Sequence, residues 1–166
     1  MSVLFRLSSL ACLSVLAACG DTPPASTAVA APPGAEAVKA AKAAGARDKV
    51  TVYGRIWELN AGAAAFQMMD TALPYCGEKN PDDHCKTPWD YCCESPEKRR
   101  DNSLLVEVRG ADGKPLAAAM TDLRLLDVVK VTGKITVDEH KNQVLLADAV
   151  VRHDRPTVPA DLDWPK

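Results

Sequence analysis

Four cysteines, Cys76, Cys85, Cys92 and Cys93, fall within one stretch of eighteen residues, and no other part of the chain concentrates so much reactive chemistry. Their surroundings, PYCGEKNPDDHCKTPWDYCCESPEKRRDN over 74–102, carry prolines but no apolar periodicity. A segment of this length without regular structure needs another source of order. For an exported chain, which the N-terminus below indicates, two disulfides are the expectation. A bond between Cys92 and Cys93 would close a strained ring through one peptide unit. That leaves 76–92 with 85–93, or 76–93 with 85–92, and each bridge would contribute ~2–4 kcal/mol by restricting the unfolded loop. The competing chemistry is metal binding, because Cys76, His84, Cys85, Cys92 and Cys93 are soft ligands suited to Zn²⁺ or Cu⁺. Against it stand the lack of C-x₂-C knuckles and the difficulty of bringing adjacent cysteines to one tetrahedral ion. Catalytic redox chemistry is not expected, since no C-x-x-C pair is present.

A second group of residues is suited to contact rather than reaction. Tyr53, Arg55 and Trp57 alternate along one apolar segment, and Trp89 and Tyr91 lie beside the cysteines. Aromatic rings around an arginine can stack on bases or sugars, so these five are the candidate ligand-binding residues. The alternative is packing: a bend at Gly54 would turn Trp57 into the core, and Trp89 and Tyr91 would close one end of the domain. Catalytic constellations are missing. The three histidines, His84, His140 and His153, are far apart in sequence, and there is no Ser-His-Asp spacing, zinc-protease helix or phosphate-cradling glycine loop. Asp82-Asp83 and Asp138-Glu139 read as solvated turn carboxylates. The expectation is a non-catalytic protein without a cofactor. With 20 Lys+Arg against 22 Asp+Glu and a net charge of -2, a generally basic nucleic-acid binder is excluded and nucleic acid is an unexpected partner.

The elements that would position these residues are mostly strands. Alternating apolar residues predict strands over 50–59, 64–69, 104–109, 128–137 and 143–152. Val50, Val52, Gly54 and Ile56 would face inward on the first, Leu104, Val106 and Val108 on the third, and Val129, Val131, Gly133, Ile135 and Val137 on the fourth. Asp112-Gly113 predicts a tight turn, after which 115–120 would fold back as a further short strand, and 121–126 has room for one helical turn. Residues 36–44 have helix propensity and end at Gly45. With Val38 as their only sizeable apolar residue, they predict a fraying turn rather than a core element.

The N-terminus is an address. Arg6 precedes an apolar stretch from Leu7 to Ala18, the n- and h-regions of a secretory signal, and no apolar run reaches the ~18–20 residues of a membrane-spanning helix. Leu16-Ala17-Ala18-Cys19 resembles the lipobox of bacterial lipoproteins. That resemblance implies cleavage after residue 18 and diacylglyceryl attachment at Cys19, giving a membrane anchor in the cell envelope. Gly20 in place of aspartate implies the outer membrane, facing the periplasm. Residues 1–18 are then signal peptide and 19–47 a lipidated, Pro/Ala-rich flexible linker. The folded domain covers 48–155 with its insertion at 74–102, and 156–166 form a tail.

A glycine inside the first strand (Gly54) and another inside the fourth (Gly133) suit the corners of a small closed barrel. The ordered pattern V-x-V-x-G-x-I, a short F-x-M-x-D, an E-V segment, V-x-V-x-G-x-I and an alternating last strand resembles the OB-fold, in its anticodon-binding-like branch. The resemblance implies an all-β, five-stranded barrel with the Cys-rich insertion between strands 2 and 3. It further implies a binding module whose partner is an envelope protein or a small or oligomeric ligand.

Overall fold

In the computed structural model, residues 29–79 and 85–157 are described. The expected signal peptide over 1–18, Cys19, His84 and the tail beyond residue 157 lie outside the described residues.

Two short N-terminal elements, β1 (Glu36–Ala37) and α1 (Val38–Ala44), lead into the long β2 (Arg47–Asn60), followed by β3 (Ala65–Met69). The insertion carries α2 (Cys76–Lys79) and α3 (Pro96–Asp101), and the chain then continues through β4 (Ser103–Val108), β5 (Val128–Val137) and β6 (Gln143–Asp154). The sheet order is β1-β2-β3-β4-β6-β5, with β2 also pairing to β5. β2 to β6 therefore close on themselves as a five-stranded barrel, all pairs antiparallel except β4–β6. This is the OB-like architecture that the ordered strand pattern implied.

Closure depends on β2 serving two neighbours. Its N-terminal part pairs with β5 and its C-terminal part with β3, the exchange falling at Arg55. Gly54 stands at the crossing. A Cβ there would lie 2.5 Å from Met68 Cγ, 2.7 Å from the Met69 carbonyl oxygen and 2.7 Å from Val38 Cγ2. Gly133 is tighter still: a Cβ would lie 2.1 Å from the Leu146 carbonyl oxygen, beside the register shift where β5 bends against β6. Inside the barrel, Val52, Ile56, Phe66, Met68, Val106 and Leu145 are among the fully or almost fully buried side chains. Each large one gains ~1.5–3 kcal/mol from burial.

The structure departs from the sequence reading at four places. First, α1 is part of the core: Val38 and Ala41 are wholly buried, which extends the packed unit N-terminal of Asp48. Its alanines let the helix approach β2 closely, Val38 occupies the space that Gly54 leaves, and Asp70 Oδ2 accepts the Lys39 backbone N–H at 2.8 Å in place of a local cap. Second, 115–120 does not form a strand. Only Arg109 and Pro115 bridge, flanked by the Gly110 N–H to Lys114 and Leu116 N–H to Val108 hydrogen bonds, and the pairing stops where Ala117–Met120 winds into a 3-10 turn ahead of the expected 121–126. Third, Val137 at the end of β5 is 49% exposed rather than inward. Fourth, the insertion contains two short helices; Ser95 accepts the Lys98 N–H and Pro96 opens α3.

Candidate functional site: the cysteine cap and the barrel groove

The insertion is folded onto the barrel as a cap. The Cys76 N–H donates to the Asp90 carbonyl at 2.8 Å and the Gly77 N–H to the Pro88 carbonyl at 2.7 Å, so the 87–91 segment lies across the start of α2. Asp90 Oδ1 in turn accepts the Tyr91 N–H at 2.7 Å and the Trp57 Nε1–H at 2.8 Å, tying the same segment to β2. Tyr91 points inward and is fully buried with Met69 and Leu73, while Trp57 and Tyr75 pack around them. Trp57 and Tyr91 meet edge to face, with centroids 6.0 Å apart.

Arg55 is the anchor between cap and barrel. It is 4% exposed, and its Nη1 lies 3.3 Å from Glu78 Oε2 and 3.4 Å from both the Tyr91 hydroxyl and the Leu73 carbonyl. The guanidinium also sits 5.0 Å from the centre of the Tyr75 ring. Burial pushes the Tyr91 hydroxyl up to about 12. A second buried carboxylate, Glu94, is held between Lys79 at 2.7 Å and Lys98 at 2.8 Å. Hydrogen bonds from Lys79 and then Lys98 keep its carboxyl below the usual glutamate range.

These contacts reassign the five candidate ligand-binding residues. Arg55 and Tyr91 are buried and satisfied within the protein, so neither offers a stacking surface. Trp57 is half-buried beneath the cap; the register shift between Ile56 and Glu58 turns it toward Asp90 and Tyr91, and Arg99 lies 5.7 Å above its ring. Trp89 is half-buried within the cap segment. Tyr53 is half-buried and sits opposite Lys130 and Ala37 in the sheet, on the half of β2 that pairs with β5. The structure thus unites Arg55, Trp57 and Tyr91 as packing and leaves Tyr53 apart. Sequence reasoning missed Glu78, Asp90 and Glu94. An arginine beside the only glycine of an apolar strand was the available sign that something polar lay buried there.

The thiols converge. Cys76 Sγ lies 3.2 Å from Cys92 Sγ and 3.3 Å from Cys93 Sγ, while Cys92 and Cys85 are 3.9 Å apart. These separations exceed the ~2.05 Å of a disulfide, and no S–S bond is present among the described residues. The three sulfurs of Cys76, Cys92 and Cys93 all lie within 4.8 Å of one another, Cys76 buried and the other two exposed. Burial raises the Cys76 thiol, and its hydrogen bonding to Cys76 raises the Cys92 thiol to about 11. Adjacent cysteines reaching one point, unexpected from spacing, follows from the turn that presents both to the first residue of α2.

A second feature lies on the opposite part of β2. Glu58, Leu59, Asn60, Ala65, Gln67 and Leu105 line most of a shallow groove of about 310 Å³ on the β2–β3–β4 surface, next to the 61–64 turn. Asn60 Oδ1 accepts the Ala63 N–H at 3.0 Å, which leaves its amide hydrogens directed to other acceptors.

No protein-family model and no curated protein matches the chain. Among solved structures, the second single-stranded DNA-binding protein (SSBb) of Mycobacterium smegmatis is similar, with 21% identity over 68% of this chain and 97% of that chain, and a TM-score of 0.37.

Proposed function

We propose that the chain is a non-catalytic binding module, tethered to an envelope membrane by lipid on Cys19, whose barrel groove takes an uncharged, hydroxyl-rich oligomer such as a neutral oligosaccharide. The observation that carries this reading is the composition of the groove. Glu58, Asn60 and Gln67 supply hydrogen-bonding groups, Leu59 and Leu105 supply apolar surface, and the lining has no cation. OB-like barrels commonly bind oligonucleotides or oligosaccharides on this strand face. A phosphate backbone would meet Glu58 without a lysine or arginine in the lining to offset it, whereas Glu107 further along β4 is already paired with Arg109. A sugar, which carries no charge and presents hydroxyls around an apolar face, suits those residues.

Chitotetraose and a single-stranded oligonucleotide provide the test, each titrated into the full chain bearing Cys19→Ser and followed by amide NMR. The expected result is saturable shifts at Gln67 and Leu105 with the glycan, lost in Leu105→Glu. Shifts confined to other surfaces, or produced by the oligonucleotide instead, would overturn the ligand reading. The anchor is tested separately: Cys19→Ser should leave the membrane fraction, and unchanged partitioning would refute lipidation.

A further inference from the structure

We propose that Cys76, Cys92 and Cys93 form a three-thiolate site for a soft monovalent ion of the Cu⁺ class. The site is independent of the barrel groove. Geometry separates this reading from a disulfide. In a disulfide, one pair of sulfurs is singled out. Here Cys76 Sγ stands almost equally close to two sulfurs, at 3.2 and 3.3 Å, and all three sulfurs lie within 4.8 Å of one another. Forming either S–S bond would require one pair to close by ~1.2 Å. Thiolates at ~2.3 Å from a shared ion stand ~3.8–4.0 Å apart, so the two Cys76 separations need to open by about 0.5–0.8 Å.

The donor set also selects the ion. Among the described residues the group consists of three sulfurs with no nitrogen or oxygen ligand, a set that suits a soft ion. Zn²⁺ prefers a fourth donor in a structural site. Cys85 is the nearest sulfur that could supply one, 3.9 Å from Cys92, but it is outside the group whose sulfurs all lie within 4.8 Å. On binding, the three thiols release their protons to solvent and their sulfurs donate to the ion; no electron is transferred. The framework is already built. Backbone hydrogen bonds from Cys76 and Gly77 clamp the two cysteine-bearing segments together at 2.8 and 2.7 Å.

The test uses the full chain, expressed in cells supplied with copper, purified without reductant under nitrogen, and titrated with Cu⁺ against a chromogenic Cu⁺ chelator. The expected result is one tightly held Cu⁺ with thiolate-to-metal absorption in the ultraviolet. Cys76→Ser, Cys92→Ser and Cys93→Ser should each weaken it at least a hundredfold, and Cys85→Ser by less than threefold. Equal retention in all three serine variants would move the ion elsewhere and overturn the proposal. Peptide mapping that finds Cys76 bridged to Cys92 or Cys93 in the protein as purified would overturn it too, in favour of disulfides. Preference for Zn²⁺ with a large Cys85→Ser effect would overturn the three-donor assignment. Far-ultraviolet circular dichroism of each variant shows that the barrel persists.

Discussion

Replacing Arg55 with methionine removes a guanidinium while keeping most of the buried stem. In the native protein that group faces the Glu78 carboxylate at 3.3 Å and the buried Tyr91 hydroxyl at 3.4 Å, so the variant takes a charge partner from the first and a hydrogen-bond donor from the second. Breaking one partner out of a buried ion pair costs about 3–5 kcal/mol, a large share of the ~5–15 kcal/mol that holds a domain together. The loss should fall on the cap rather than on the barrel, because Met69, Leu73 and Tyr91 form a packing cluster separate from the barrel core. At ~1.4 kcal/mol per decade, amides of 75–79 and 85–94 should exchange with deuterium roughly a hundredfold to several thousandfold faster in Arg55→Met, while those of β5 and β6 change little. Arg55→Met combined with Glu78→Leu, which removes both charges, should recover much of the protection. Cap exchange within twofold of wild type in the single variant would refute the anchoring role. Equal acceleration in β5 and β6 would refute the independence of cap and barrel.

Two further outcomes follow from the barrel itself. Gly133→Ala puts a methyl against the Leu146 carbonyl, where the Cβ would be 2.1 Å away, and should cost at least ~3 kcal/mol in urea denaturation; a neutral effect would show that β5 and β6 separate freely there. Asp138 closes the β5–β6 turn by accepting from the Asn142 side chain and backbone and from the His140 N–H, which hold its carboxyl below the usual aspartate range. Its contribution is therefore complete above an unfolded carboxyl's pKa of ~3.9 and is lost as pH falls through the lower native value. The stability gap between wild type and Asp138→Ala should narrow on acidification, and a gap independent of pH would sink the argument.

The barrel strands were legible because each carries two-residue alternation, and Gly54 and Gly133 mark the places where closure leaves no room for a Cβ. The core role of α1 was not legible. Val38 alone looks insufficient until Gly54 provides a hollow for it and Asp70, thirty-one residues away, caps the helix. Nor did alternation reveal that the side chains opposite the core at Arg55 and Trp57 would be covered, because the covering comes from a segment with no periodicity of its own. The cysteines were legible as a cluster. Their three-way convergence was not, since it depends on which backbone carbonyls the Cys76 and Gly77 amides find.

The parallel pairing of β1 with β2 has a mechanical consequence. In the proposed lipid-anchored form, a pull on the N-terminus meets the exposed contact between His153 Nε2 and the Ala30 carbonyl at 3.1 Å and then Glu36 and Ala37, which hold β2 by a two-residue ladder, reinforced by the Glu36–Arg47 ion pair at 2.7 Å. That ladder is far shorter than any seam of the barrel, so it yields first, and α1 follows as Val38 slides out of the hollow over Gly54. Straightening residues 36–46 extends the chain to at most ~3.3–3.6 Å per residue, a contour of about 4 nm in all, before any barrel strand is loaded. The N-terminal layer is in this sense a fuse: membrane undulation or tugging spends itself on a short, re-forming attachment and leaves the groove and the cap undeformed.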